Sequence, residues 1–232
     1  MQVIILAAGR GTRMGALTDE VPKPLLEVEG KTLLEHKFDV LPDIITEIVL
    51  VVGYHGPKIR ERLGDTYGTR PITYVTQETL NGTGGALWEA EGILRERFVI
   101  MMGDDLYARE DIEQCIATPG WSILVSATDH MQSGGRMVDR DGAIVAIEEG
   151  EHQGPGLMNT NLFVLDPSLF GHHLVPKSAG SPEYGLPQTV LAASLATGRA
   201  LSAVYATTWI QVTSPEDLER AARELPALFP RA

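Results

Sequence analysis

This 232-residue sequence has no pattern typical of a disulfide-bonded protein, a membrane span or a signal peptide. It contains one cysteine, Cys115, so no disulfide can form within the chain, as is typical of proteins from a reducing compartment. No apolar run approaches the roughly 20 residues of a membrane-spanning helix. The N-terminus enters an apolar, strand-like run at Val3 without a signal-peptide pattern. From these absences we expect a cytoplasmic protein with no membrane partner.

Positive charge is also scarce. The chain has 19 lysines and arginines against 31 aspartates and glutamates, which gives a formal net charge of −12. Nucleic acids and anionic membranes favour basic surfaces, so we expect neither as a partner. Any phosphate site must therefore be locally basic within an acidic protein. Arg10, Arg13 and Lys23, which lie close together in the sequence, are the candidates for such a site.

A glycine-rich segment follows the first apolar run. Residues 3–6 predict a short buried strand, and Gly9, Gly11 and Gly15 come shortly after it. Small residues let the backbone approach a ligand closely, and consecutive N–H groups in a turn can form an anion-binding nest. Arg13 adds a planar set of donors that suits phosphate oxygens. The segment therefore predicts a strand that ends in a loop built to hold a polyphosphate.

Lys23 lies between Pro22 and Pro24, which predicts an extended segment that presents the lysine at a defined place. Two better-known glycine loops do not match. A P-loop has a lysine directly after its last glycine, and the dinucleotide-binding pattern needs a different glycine spacing and a long helix that the prolines forbid. A flexible loop without a ligand is the remaining alternative, but the glycines, the arginine and the proline-flanked lysine together argue against it.

Strands alternate with helices over the first 130 residues or so, which predicts an α/β fold with a mostly parallel sheet and helices on both faces. Within this part we assign residues 77–85 to a polar, glycine-rich connection, residues 86–94 to a helix and residues 98–102 to a buried strand. From Arg136 onwards short strands follow one another without long helices between them. We therefore expect a small antiparallel insertion beside the main sheet.

The motifs LAAGRGTRM at residues 6–14 and VPKPLLEVEGKTLLEH at residues 21–36 resemble the signature of the sugar-1-phosphate nucleotidyltransferases, also called nucleotide-sugar pyrophosphorylases. Weaker similarity extends to about Ala222. The resemblance implies a three-layer, Rossmann-like sheet of the nucleotide-diphospho-sugar transferase type. It also implies an enzyme that joins a sugar 1-phosphate to a nucleoside triphosphate, uses Mg²⁺ and releases pyrophosphate. We interpret the chain as one domain, with a nucleotide-binding half at residues 1–130 and a sugar-binding half at residues 131–232.

This reaction requires charge neutralisation more than it requires a base. A phosphate monoester has a second pKa near ~6, so it is mostly a dianion at neutral pH and able to attack. We therefore expect a cationic cradle and a divalent metal. Asp104 follows a buried strand, where α/β sheets place their ligands, and the resemblance makes it the metal ligand. Lys23 would hold the phosphates near the reacting centre, and Arg13 would neutralise the departing pyrophosphate.

The resemblance assigns the nucleotide to the loop after the first strand and to later segments. Gln77, Gly82 and Thr83 match the segment that holds uracil or thymine in the family, and NGTGG at residues 81–85 is closer to uridylyltransferases than to guanylyltransferases. UTP or dTTP is therefore the expected nucleotide. The predicted nucleotide-binding residues are Leu6, Ala7, Ala8, Gly9, Arg10, Gly11, Thr12, Gln77, Gly82, Thr83 and Gly103.

Gly135, Glu149 and Asn159 match positions that bind sugar hydroxyls in the family, and the segment around Asn159 resembles the N-acetylglucosamine-1-phosphate uridylyltransferase version. Two positions depart from the pattern. Gly150 stands where a lysine near the sugar phosphate is common, and Gln211 stands where a second metal-binding aspartate is common. An amide oxygen can ligate Mg²⁺ but carries no charge, so Gln211 as a metal ligand predicts weaker metal binding.

Two other functions fit parts of the pattern. One is a cytidylyltransferase that acts on phosphocholine or an inositol phosphate, and a pocket of aromatic and acidic side chains would favour choline. The other is a nucleotide-sugar-binding regulator with weak or no turnover, which the departures at Gly150 and Gln211 suggest. Because Arg13, Lys23 and Asp104 are all present, we expect an enzyme.

Overall fold

The computed structural model describes residues 1–131 and 133–228, and the account that follows concerns these residues. The helices are α1 Leu33–Asp39, α2 Gly56–Leu63, α3 Gly82–Trp88, α4 Arg109–Ala117, α5 Leu186–Thr197 and α6 Pro215–Leu228. The strands are β1 Gln2–Ala7, β2 Glu27–Val28, β3 Lys31–Thr32, β4 Glu47–Val52, β5 Thr66–Tyr67, β6 Arg70–Thr76, β7 Phe98–Met102, β8 Leu106–Tyr107, β9 Trp121–Thr128, β10 Ser133–Arg140, β11 Ala143–Glu151, β12 Gly156–Leu165, β13 Leu201–Tyr205 and β14 Trp209–Ile210.

Ten of the strands form one sheet in the order β10-β11-β13-β9-β12-β7-β1-β4-β6-β5. Strands β7, β1, β4 and β6 run parallel, with Ile4 of β1 opposite Val49 on one side and Ile100 on the other. The apolar run at residues 3–6 thus forms an interior strand, as its composition predicts. Two short pairs, β2–β3 and β8–β14, lie outside this sheet.

Alternate side chains of the sheet point into two separate cores. Ile4 and Leu6 pack with residues of α3 and α5 on one face, including Val190. Val3 and Ile5 pack with residues of α1, α2 and α4 on the other face. This alternation follows from the two-residue period of a strand, and each fully buried side chain of this size contributes about 1.5–3 kcal/mol. The predicted α/β class, with helices on both faces, is confirmed.

The antiparallel strands are placed differently from the expected insertion beside the sheet. Strand β12 lies inside the sheet, antiparallel to both neighbours, with Phe163 opposite Ile100 of β7 and Ile123 of β9. Residues Leu162, Phe163, Val164 and Leu165 are all fully buried, because both faces of this strand are covered. The continuous apolar run that makes this possible is typical of an interior strand rather than of a separate antiparallel layer.

Two local predictions were wrong. Helix α3 begins at Gly82, inside the segment assigned to a connection, because the backbone there packs against residue 184: Gly84 N donates to Tyr184 O (3.0 Å), and Tyr184 N donates to Asn81 O (2.7 Å). The tertiary contacts override the poor helix propensity of glycine.

The second error concerns the proline segment. Lys23–Leu25 forms one turn of 3-10 helix rather than an extended stretch, with Leu25 N donating to Pro22 O (2.8 Å) and Leu26 N to Lys23 O (3.0 Å). The prolines exclude a long helix, but a single turn needs no N–H from either of them.

Among the described residues, no helix combines the length and apolar character that a membrane crossing requires.

Candidate active site

Two adjoining pockets open where β1 and β7 end. The larger is a cleft of about 960 Å³ and the smaller has a volume of about 210 Å³, and both are lined by the loop that follows β1. Of the residues predicted for the site, those that line the cleft are Leu6, Ala8, Gly9, Arg10, Gly11, Thr12, Arg13, Gln77, Gly82, Thr83, Gly135, Glu149, Asn159 and Gln211. Those that line the smaller pocket include Ala7, Arg13, Lys23, Gly103 and Asp104. The fold thus brings the predicted residues together, while their roles stay predictions.

The loop after β1 depends on a glycine at position 11. Gly11 has a φ of 65°, in the left-handed region, and its carbonyl accepts hydrogen bonds from Met14 N (2.9 Å) and Thr18 Oγ1 (3.1 Å). A Cβ atom added at Gly11 would lie only 2.9 Å from Cβ of Lys23. Glycine at this position therefore allows both the turn and the close approach of Lys23.

Lys23 and Asp104, which both line the smaller pocket, form an ion pair. The distance between Lys23 Nζ and Asp104 Oδ2 is 2.5 Å, and the two side chains are 7% and 25% exposed. Gly103 places Asp104 here: its N–H donates to Leu6 O (2.9 Å), and a Cβ atom would lie 3.0 Å from Cα of Ala7. Arg13 lines the same pocket. The two cations and the carboxylate can thus contact one small ligand.

The donor set suits a single hard cation that completes its shell with substrate. Mg²⁺ is usually held by one or two carboxylates together with phosphate oxygens and water. Asp104 supplies a carboxylate, and Gln211 supplies an amide oxygen in the adjoining cleft. Across residues 1–131 and 133–228 no three His, Cys, Asp or Glu side chains cluster in a way that could enclose a metal. The residues therefore fit a metal that arrives with a polyphosphate, rather than a closed structural site.

Two buried ionisable side chains, those of Lys37 and Asp105, lie close to Asp104. Lys37 and Asp105 are 1% and 3% exposed, and Lys37 Nζ donates to the backbone carbonyl of Asp105. The Asp105 carboxylate accepts a hydrogen bond from Trp209 Nε1 (3.2 Å). Burial lowers the pKa of Lys37 and raises the pKa of Asp105, and the attraction between the two groups opposes both shifts.

The sequence predicts that Asp104 and Asp105 face different ways as successive strand residues, but both lie in the bend between β7 and β8, so that reason does not apply. Lys37 was missed because a lysine is normally assigned to the exposed face of a helix. The available signal was its spacing, since it lies one turn after Leu33 and three residues after Leu34 on the apolar face of α1.

Gln77 is held in one orientation at the cleft. It is 5% exposed, and its Nε2 donates to Asn81 Oδ1 (3.0 Å) and to Gly82 O (3.2 Å). Because the Gly82 carbonyl can only accept, the amide cannot be flipped without losing this bond. Its Oε1 accepts no hydrogen bond from any residue that the structure describes. Thr83, also predicted for the nucleotide, uses its hydroxyl to accept a bond from Leu186 N (3.0 Å).

Several other side chains that line the cleft are paired with one another. Glu149 Oε1 accepts a hydrogen bond from Gln188 Nε2 (2.7 Å), and a Cβ atom at Gly135 would lie 2.9 Å from the same oxygen. Asn159 Nδ2 donates to Asn161 Oδ1, and Asn161 N donates to Asn159 Oδ1, both at 2.8 Å. Sequence reasoning missed Gln188 and Asn161, which both line the cleft.

The comparisons with known proteins agree with this geometry. The nucleotidyl transferase family profile matches residues 2–119. The chain is 33% identical to the UTP--glucose-1-phosphate uridylyltransferase AglF of Haloferax volcanii, over 97% of this chain and 96% of that protein.

Solved structures share the fold. A putative glucose-1-phosphate thymidylyltransferase from Bacillus anthracis superimposes with a TM-score of 0.80 at 24% identity and covers 96% of this chain and 94% of its own. The inositol-1-phosphate CTP transferase of T. maritima gives a TM-score of 0.77 at 21% identity, over 97% of this chain and 94% of its own. The glycine loop, the site at the strand ends and these similarities lead to one conclusion: the chain belongs to the nucleotidyl transferase family.

Proposed function

We propose that this chain joins a sugar 1-phosphate to UTP or dTTP, giving a nucleotide sugar and pyrophosphate, with Mg²⁺ as the metal. The observation that carries the proposal is the shared pocket of Arg13, Lys23 and Asp104 at the end of β1. This pocket opens beside a cleft of about 960 Å³. Ligand sites of about 300–1,000 Å³ hold molecules of drug size, so the cleft has room for a nucleotide and a sugar together.

The chemistry needs no proton transfer. An oxygen of the sugar phosphate forms a bond to the α-phosphorus, and the bond from that phosphorus to the bridging oxygen of the β-phosphate breaks. Pyrophosphate leaves with the electron pair. Lys23 would bind the phosphoryl group under attack and Arg13 the leaving pyrophosphate, because fixed cations stabilise charge that grows in the transition state. Asp104, with Gln211 as a second candidate ligand, would hold Mg²⁺, which when bound offsets the charge of the phosphates.

The orientation of Gln77 supports a uracil or thymine base. Its Nε2 is used within the protein, so the group left for a ligand is the acceptor Oε1. Uracil and thymine carry a hydrogen on N3 that can donate to such an acceptor, and cytosine can donate to it only through its 4-amino group. A neutral hydrogen bond of this kind contributes about 0.5–1.5 kcal/mol. An acceptor at this position therefore suits the N3–H of UTP or dTTP, and a comparison of UTP with CTP as substrates tests whether it excludes cytosine.

Glu149, Asn159 and Gly135 at the far end of the cleft would bind the hydroxyl groups of the sugar. A carboxylate accepts hydrogen bonds from hydroxyl groups, and an amide group both donates and accepts them. Gly135 has no side chain and so leaves the space in which the Glu149 carboxylate lies. The similarity to AglF, whose name specifies glucose 1-phosphate, makes glucose 1-phosphate the first acceptor to test.

The test is a matrix of UTP, dTTP, CTP and GTP against glucose 1-phosphate, N-acetylglucosamine 1-phosphate, phosphocholine and inositol 1-phosphate, with Mg²⁺ and a pyrophosphate readout. We expect pyrophosphate with UTP or dTTP and a sugar 1-phosphate. Release only with CTP and phosphocholine or inositol phosphate would establish a cytidylyltransferase instead. Tight nucleotide binding by calorimetry without release from any pair would favour a regulator.

A further inference from the structure

We propose that Lys37 is a positioning residue for the metal side of the site, where it fixes the turn that carries Asp104 and, through Asp105 and Trp209, the segment that carries Gln211. The inference rests on the proposed function in one respect, namely that Asp104 is the metal-binding carboxylate. Lys37 itself lies behind this carboxylate and need not touch any substrate.

The start of helix α1 determines where Lys37 points. Thr32 and Glu35 form a capping box, in which Thr32 Oγ1 accepts from Glu35 N (3.1 Å) and Glu35 Oε2 accepts from Thr32 N (2.7 Å). With the helix phase set in this way, Leu34, Lys37 and Phe38 lie on the buried side, each at most 1% exposed. The lysine therefore projects into the molecule between apolar neighbours.

All the close polar partners of Lys37 come from one short segment. Its Nζ donates to the Asp105 carbonyl and lies 5.5 Å from the centroid of the Tyr107 ring. The hydroxyl of Tyr107 in turn donates to Thr160 O (2.8 Å) in β12. Residues 105–107 consist of Asp105, which directly follows Asp104, and strand β8. The lysine therefore holds the backbone directly after the metal-binding candidate.

The same segment is joined to Gln211. Strand β8 pairs with β14, with Leu106 opposite Ile210 and Tyr107 opposite Trp209. The Asp105 carboxylate accepts from Trp209 Nε1, and Gln211 follows β14 immediately. Asp104 directly precedes residues 105–107, and Gln211 directly follows β14. The two candidate metal ligands therefore flank the β8–β14 pair, and Lys37 bonds to this part of the backbone from the interior.

Stability alone does not account for a fully buried lysine and aspartate. Removing charges from water costs several kcal/mol per ion, and replacing a buried pair by neutral groups of similar size is often neutral or stabilising. What the neutral replacement cannot supply is the N–H donor that holds the Asp105 carbonyl. Groups that orient metal ligands in this way typically change metal affinity by about 10–100-fold when they are removed.

The double variant Lys37→Met plus Asp105→Asn tests whether Lys37 positions the metal ligands or is needed for folding. The double variant leaves no unpaired buried charge and keeps an oxygen acceptor for Trp209, but it loses the bond to the carbonyl. The single variant Lys37→Met leaves the Asp105 carboxylate without its cation and serves to show the folding defect. The matched control is Lys31→Met plus Asp39→Asn, which removes an ion pair between β3 and the last residue of the same helix, whose side chains are 52% and 37% exposed.

The readouts are the melting temperature and the binding of Mn²⁺ in the presence of UTP, which supplies the phosphate oxygens that complete the shell of the metal, followed by electron paramagnetic resonance. Asp104→Asn identifies which bound Mn²⁺ belongs to the site. We expect the double variant to melt close to the wild type and to bind Mn²⁺ at least tenfold more weakly, while the Lys31/Asp39 control binds as the wild type does.

Wild-type Mn²⁺ affinity in the double variant would overturn the proposal. So would a double variant that fails to fold, because Lys37 would then serve the fold as a whole, and so would wild-type protein whose Mn²⁺ binding is insensitive to Asp104→Asn. Pyrophosphate release by the wild type, measured separately, decides the proposed function whatever the outcome for Lys37.

Discussion

The two ends of the cleft are built in different ways. At the end proposed to bind the nucleotide, parallel strands stop in tight backbone turns, and glycines at positions 11 and 103 leave no room for a side chain. At the end proposed to bind the sugar, antiparallel strands and helix α5 present side chains that hydrogen-bond to one another, as Glu149 does to Gln188. The first end is specified by backbone geometry and the second by side-chain chemistry. We therefore expect the first end to tolerate few amino-acid substitutions and the second end to tolerate more.

Removing Lys23, the buried cation of the smaller pocket, should lower the reaction rate more than any other single change. Lys23→Ala takes away a group that would bind the reacting phosphates, and loss of one such group typically lowers the rate by about 10²–10³-fold. We expect a fall of that size in kcat/KM for pyrophosphate release. The control is Lys31→Ala, because Lys31 is half exposed at the surface. A near-normal rate in the Lys23 variant would remove this residue from the mechanism and weaken the distinction between the two ends.

Adding one methyl group at the nucleotide end should have the next largest effect. Gly11→Ala places Cβ 2.9 Å from Lys23 Cβ and forces a φ of 65° on an L-residue. The strained backbone costs about 1–2 kcal/mol, and the displaced lysine should lower kcat/KM by roughly tenfold or more. Gly9→Ala is the control for stability, since a Cβ atom there has no neighbour within 4 Å. Equal melting temperatures for the two variants would contradict the close fit inferred for Gly11.

A change at the sugar end should be smaller and confined to one substrate. Glu149→Gln keeps the shape of the side chain but removes its charge, and the loss of one charge-assisted bond of about 1.5–3 kcal/mol should raise KM for the sugar phosphate roughly tenfold or more. The KM for the nucleotide should stay unchanged. The neighbouring Glu148→Gln is the matched control, because Glu148 pairs with Arg136 instead. If both substrates lose affinity equally, the two ends do not act separately.

The difference between the two ends also explains what the sequence could predict. The family, the enzyme class and the α/β fold are confirmed, because a motif dominated by backbone requirements leaves glycines and prolines at fixed spacings. Gln188 and Glu149 lie 39 residues apart in sequence, and nothing in the local pattern of either position indicates that they meet. Lys37 shows the same limit, since its partner lies 68 residues away and only the fold brings them together.

The errors in the fold have a common physical cause. Helix α3 begins among glycines, and β12 joins the middle of the sheet, because contacts with distant parts of the chain decide both. Local propensity is a weak guide where tertiary packing supplies the stabilisation. The segments that were predicted well, such as β7, carry a continuous apolar run that fits only a buried strand.

The position of β12 has a consequence for how substrates enter. This strand is hydrogen-bonded to β9 along one edge and to β7 along the other. A hinge rotation that swung the sugar end away from the nucleotide end would have to rupture both ladders, together with the buried packing of residues 162–165. Any widening of the cleft is therefore left to the loops around its rim, and the rim rather than a moving domain would decide which sugars fit.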